Sequence, residues 1–176
     1  TGADGASHNG VWDIAMCSII PGLRLAAPRD EETLRARLRE ALDVDDAPTV
    51  IRYRKGSLPE PMPALRSVGG VDILFDEAVA DSCARVLIVG TGACAPDAIE
   101  AARRLSADGV SVTVADPQWM IPVCPELATL AHDYDCVVSV EDGIVQGGFG
   151  WSLRDAVAEA GVPVRCLGVP QGFPEH

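Results

Sequence analysis

The chain has 176 residues with 48% hydrophobic content, enough to bury a core, and a net charge of −12 that repels nucleic acid and anionic membrane over most of its surface. No stretch approaches the roughly 18 uninterrupted apolar residues of a membrane helix, so a soluble cytoplasmic protein with no membrane partner is expected. The six cysteines form no CxxC pair and the three histidines lie far from any pair of cysteines, which predicts buried thiols in a reducing compartment and no metal site.

The opening Thr1-Gly2-Ala3-Asp4-Gly5 has neither an initiating Met nor a basic or apolar leader, and a preceding segment is expected. Val11 to Ile20 predicts a short helix stopped by Pro21-Gly22, and Leu23 to Ala27 a short strand. Asp30 is a good N-cap for a helix in which Glu31 and Glu32 suit the positive end and Leu34, Leu38, Ala41 and Leu42 share one apolar face. The β-branched Thr49 to Tyr53 predicts a strand running into an Arg54-Lys55-Gly56 turn. With Pro59, Pro61 and Pro63, the stretch 57–70 reads as a structureless interdomain linker.

Beyond it, strands are predicted over Arg85 to Val89, Val110 to Ala115, Cys136 to Val140 and Val162 to Val169. Helices are predicted over Pro96 to Leu105, Glu126 to His132 and Ser152 to Ala160. This alternation argues for an α/β fold of two doubly wound parallel-sheet units, residues 1–56 and 71–176, joined by the linker.

Three constellations could carry chemistry, the second drawn from two stretches. Gly90-Thr91-Gly92-Ala93-Cys94-Ala95 follows a strand and precedes a helix, and Asp116 ends the next strand, which is the spacing of an NAD-binding fingerprint. The same residues also suit any tight strand-to-helix turn, so both readings stand. Asp4 and His8 place a carboxylate and an imidazole on a Gly-rich loop, able to exchange protons or to act as turn caps. The cations cluster in Arg52, Arg54 and Lys55, the only lysine, where a phosphate could be held or a solvated edge formed. Glu141-Asp142-Gly143 with Gln146-Gly147-Gly148-Phe149-Gly150 offers acids for acid/base or metal work and glycines that could admit a phosphate. A structural role, in which Glu141 bonds backbone donors of the glycine turn, weighs more for that stretch.

Four motifs in register carry a resemblance: the opening DGASHNG, RYxKG after a helix and strand, DPxWxxPV around Trp119, and VEDGIVQGGFG. With the closing GVPQGFPEH they resemble the 1-deoxy-D-xylulose-5-phosphate synthases of the thiamine-diphosphate-dependent transketolase superfamily over nearly the whole chain. The resemblance implies the end of a pyrimidine-binding domain (1–56) and a C-terminal domain truncated at its end (71–176). It implies a magnesium- and thiamine-diphosphate-dependent transferase. That enzyme joins pyruvate, with loss of CO2, to glyceraldehyde 3-phosphate for isoprenoid, thiamine and pyridoxal precursors, and works as a homodimer when complete.

It further implies that Asp4 and His8 are active-site residues and that Lys55 contacts the acceptor's phosphate. Gly90 to Ala95 would then hold no nicotinamide cofactor. The family's diphosphate- and metal-binding motif and its activating glutamate lie upstream of Thr1, so no cofactor- or metal-binding residue is expected here and the chain alone should be inactive. Arg54 replaces the usual proline of the RYPxG turn, and Met120-Ile121 replace a basic residue. An alternative in another class is a non-catalytic assembly module of a transketolase-like complex.

Overall fold

The computed structural model describes residues 10–57 and 59–173. The first elements follow local chemistry closely. Helix α1 (Asp13–Cys17) is short and buries Ile14. Strand β1 (Arg24–Ala26) leads to α2 (Glu31–Leu42), where the Asp30 carboxylate accepts the Thr33 N–H at 2.9 Å and Thr33 Oγ1 accepts the Asp30 N–H at 3.1 Å. Two of the donors left open at the helix start are thereby satisfied. Strand β2 (Thr49–Ile51) lies parallel to β1.

The stretch 57–70, expected to be without regular structure, ends in strand β3 (Arg66–Val68), which turns through Gly69-Gly70 into β4 (Val71–Glu77). Both glycines have positive φ, 54° and 88°, as a tight two-residue hairpin requires. Then come β5 (Arg85–Gly90), α3 (Ala95–Ala107), β6 (Ser111–Asp116), β7 (Trp119–Ile121), α4 (Pro125–Ala131), β8 (Cys136–Ile144), α5 (Phe149–Ala156) and β9 (Val164–Val169).

Six strands form one sheet in the order β3-β4-β6-β5-β8-β9. Strands β6, β5, β8 and β9 are mutually parallel, whereas β4 and β3 add antiparallel at one edge. A hairpin can join that edge because it needs no crossover helix. The architecture is mixed α/β with parallel-containing sheets. The small sides of α3, Ala95, Ala98 and Ala102, pack with Ile88, Val112 and Val114 on one face. Leu127 of α4 and Phe149 and Leu153 of α5 pack with Leu87, Val89 and Val137 on the other.

The second sheet, β2-β1-β7, draws β7 from beyond β6 and pairs it antiparallel with β1. Leu23, Leu25 and Ala27 accordingly share one buried cluster with Val71, Ile73, Leu87 and Val89. One of the two apolar clusters thus spans both halves of the chain. No helix of the described residues is long and apolar enough to cross a membrane.

Candidate active site

Where β2 ends, the Arg52 N–H still bonds Ala26 O at 2.8 Å, and the chain then turns through Tyr53, Arg54, Lys55 and Gly56. These residues line a cavity of about 340 Å³ together with Pro28, Arg29 and Leu34 at the start of α2 and Ala93 and Pro96 at the start of α3. The structure thus brings the cationic turn and the GxGxxA turn, separate in sequence, to one place. The lining is largely apolar, with the cations Arg29, Arg54 and Lys55 and the carboxylate of Asp30 on its wall. Asp4 and His8 lie outside the described residues.

Arg29 closes one wall. Its Nη1 lies 2.7 Å from Asp72 Oδ2 and 2.9 Å from Asp116 Oδ2, and its Nε donates to Met62 O at 2.9 Å. Asp30 accepts the Met62 N–H at 2.9 Å, so α2, the proline stretch, β4 and β6 are laced together. Two carboxylates share this one guanidinium. Burial pushes the Asp116 carboxyl up to about 6, against the pull of Arg29 and the Gln118 N–H and with the help of Asp72. For Asp30 the penalty of burial is outweighed by the N–H bonds of Thr33 and Met62, and its carboxyl falls below the ordinary value.

This geometry decides between the two readings of Gly90 to Ala95. Asp116 is fully buried and committed to Arg29 and Gln118, leaving no carboxylate for a ribose. A Cβ on Gly92, whose φ is +50°, would stand 3.0 Å from Ala27 Cβ and 3.1 Å from Ala27 O. A Cβ on Gly90 would meet Ala98 Cβ at 2.6 Å. The close approach these glycines permit is to the protein itself, as in an ordinary strand-to-helix turn.

The acidic and glycine-rich stretch is structural too. Glu141 accepts the Phe149 N–H through Oε2 and the Gly150 N–H through Oε1, each at 2.8 Å, and so caps the start of α5. Burial raises its pKa while those two N–H bonds oppose the rise. A Cβ on Gly148 would fall 2.2 Å from Ile144 O, and one on Gly143 2.8 Å from Ile14 Cδ1, so neither position leaves room for a phosphate. Asp142 pairs with Arg52 Nη1, and Arg52 Nε bonds Asp13 Oδ2 at 2.7 Å.

Among the described residues no group of three or more His, Cys, Asp or Glu is placed to hold a metal ion. With Glu141 capping a helix and Asp142 paired, these residues do not fit a magnesium-bound diphosphate. The six cysteines are free thiols, and burial raises Cys94 to about 11, far from a reactive thiolate.

Sequence reasoning missed the Arg29 network, because an Arg between a proline and an N-cap has no periodicity to mark it and its partners lie 43 and 87 residues away. It also grouped Arg52 with Arg54 and Lys55. Arg52 does not line the cavity and serves Asp13 and Asp142 instead.

A model of the transketolase pyrimidine-binding domain matches residues 1–61, and one of the transketolase C-terminal domain matches residues 78–176. The chain is 48% identical to a 1-deoxy-D-xylulose-5-phosphate synthase of Corynebacterium glutamicum (strain R) and 49% identical to a 1-deoxy-D-xylulose-5-phosphate synthase 2 of Kitasatospora griseola. Each similarity covers 100% of this chain but 28% of the relative, so the chain spans little more than a quarter of those proteins. Among solved structures, one described as a split gene transketolase, inactive beta4 tetramer, superposes with a TM-score of 0.81 at 29% identity, covering 94% of this chain and 55% of that one. The chain belongs to the transketolase family, of whose pyrimidine-binding and C-terminal domains it carries the matching parts.

Proposed function

We propose that this chain is the acceptor-phosphate-binding part of a thiamine-diphosphate-dependent transferase that condenses pyruvate with D-glyceraldehyde 3-phosphate to 1-deoxy-D-xylulose 5-phosphate, releasing CO2. The observation that carries the reading is the cavity walled by Arg54 and Lys55 between the starts of α2 and α3. A phosphate monoester is dianionic near neutrality and is well matched by two cations at a pocket wall, where charge-assisted hydrogen bonds are strong. The synthase relatives support the substrate pair.

In this reading Lys55 holds the acceptor's phosphate, and Asp4 and His8 contact the reacting groups, with His8 suited to hold or move a proton. Thiamine diphosphate and magnesium, which supply the carbanion chemistry when bound, are held by parts of the complete enzyme other than the residues described. The division into residues 1–56, a connection over 57–70 and residues 71–176, a cytoplasmic location, and a homodimer for the complete enzyme belong to the same proposal.

Lys55→Ala in the complete enzyme tests it. Removing one charge-assisted contact of roughly 1.5–3 kcal/mol should raise the KM for glyceraldehyde 3-phosphate more than tenfold and leave the KM for pyruvate nearly unchanged. Equal effects on both substrates count against the reading. His8→Ala should lower kcat by about 10²-fold or more with little change in stability.

One observation favours a second reading. The similar solved structure is described as an inactive tetramer, which fits an assembly role without activity for this part alone. Incubating the chain with thiamine diphosphate, magnesium and both substrates should give no product, and turnover would exclude the assembly reading.

A further inference from the structure

The cavity between α2 and α3 has Arg29, Arg54 and Lys55 on its wall, and the three cations are not equally available. Arg29 Nη1 lies 2.7 Å from Asp72 Oδ2 and 2.9 Å from Asp116 Oδ2, and its Nε stands 3.9 Å from Asp30 Oδ2. Three carboxylates thus face one buried guanidinium, so this corner carries net negative charge whether or not Asp116 holds a proton. Lys55 is not a free cation either.

Arg54 differs from both. It is exposed, and among the described residues its side chain makes no hydrogen bond, ion pair or ring contact. The chain carries 26 acidic residues against 14 basic ones, so a carboxylate partner is easy to find on most of its surface. Arg52, two positions earlier, holds both Asp13 and Asp142. A guanidinium stays charged at any physiological pH and offers five N–H donors. Uncommitted on a cavity wall, Arg54 meets an anion without first giving up a carboxylate.

We propose that Arg54 is the specificity-determining residue of this cavity, making a phosphorylated acceptor preferred over the same aldehyde without its phosphate. The inference rests on reading the cavity as an acceptor-phosphate site. A dianion beside Arg29 would also face Asp30, Asp72 and Asp116, and like charges repel. Beside Lys55 alone, one of its two charges stays uncompensated. Arg54, next in the chain and on the same wall, supplies the second cation through charge-assisted hydrogen bonds. Much of the remaining wall, Pro28, Leu34, Ala93 and Pro96, has no side-chain hydrogen bond to give, which leaves the discrimination to the charges. A proline at this position, as in the RYPxG turn, adds no charge, and the preference should be weaker where one stands.

The test compares kcat/KM for D-glyceraldehyde 3-phosphate with kcat/KM for D-glyceraldehyde in the complete enzyme. At about 0.15 M salt, charges acting from beyond roughly 8 Å are largely screened, so a change in the ratio reports a near contact. Arg54→Gln should lower the ratio about tenfold, as expected for one lost charge-assisted contact, and Arg54→Glu should lower it further. A ratio unchanged in Arg54→Gln, including an equal loss for both acceptors, overturns the inference. Lys55→Ala in the same assay keeps the two readings apart. A ratio that falls in Lys55→Ala but not in Arg54→Gln leaves the phosphate site standing without Arg54, whereas a ratio unchanged in both variants overturns both readings.

Discussion

Arg29 Nη1 stands 2.9 Å from Asp116 Oδ2, and through this pair the start of α2 is bolted to the end of β6 inside the protein. Both groups are buried, and Asp72 shares the same nitrogen at 2.7 Å. Arg29→Met keeps the apolar stem but strands two carboxylates, so it should cost about 3–5 kcal/mol in urea unfolding. Adding Asp72→Asn and Asp116→Asn should restore part of the loss, since the uncompensated charges then disappear.

The same commitment of Asp116 predicts that nicotinamide cofactors do not bind. Thermal shift with NAD or NADP at millimolar concentration should show no saturable change, whereas a ligand present at a hundred times its Kd stabilises by about 2.7 kcal/mol. A saturable shift lost in Gly92→Val would contradict the packing role assigned to that glycine.

Asp116 also sets a pH dependence. Its carboxyl is raised from 3.8 to about 6 in the folded chain, so the native state binds a proton that the unfolded state has already released. The stabilisation is complete below pH 3.8 and is lost as pH rises through about 6, a swing of about 3 kcal/mol for roughly two units. Glu141, also raised, adds to the same trend, and Asp30, lowered, opposes it only at the acid end. Stability measured by urea between pH 4 and 6.5 should fall with pH, and Asp116→Asn should flatten most of that slope.

Glu141→Gln tests the helix cap. The carboxylate receives two N–H groups, one on each oxygen, whereas an amide offers one oxygen and turns its NH2 against the second donor. The variant should lose about 1–3 kcal/mol of stability, and amide exchange should quicken at Phe149 or Gly150 before it does in β5.

The elements with a clean local signal were legible from the residues alone. The Asp30 cap announces α2, although Leu38 and Leu42 of its expected apolar face are exposed, and the apolar run ending at Val89 announces β5, because capping and burial act within a few residues. Strand β3 was hidden because all three of its residues are exposed, and β4 because Asp72 interrupts its apolar run. Strand β7 was hidden because three residues behind a proline acquire their partner, β1, only in three dimensions. At the site, the closeness of Lys55 to the glycine turn and the diversion of Arg52 to Asp142 both depend on contacts across the core that no spacing rule encodes. The family motifs pointed to Lys55, and Asp4 and His8 lie outside the described residues.

The pairing of β1 with β7 has a consequence for synthesis. Strand β1 leaves the ribosome long before Trp119 to Ile121, so until then the β1 edge that β7 will cover stays open. Open edges recruit other strands, and a ribosome paused before β7 would leave Leu25 and Ala26, both buried in the finished protein, free to pair with a neighbouring nascent chain. Slow translation across the β6 to β7 region would then lengthen the time for which that edge is open to another chain.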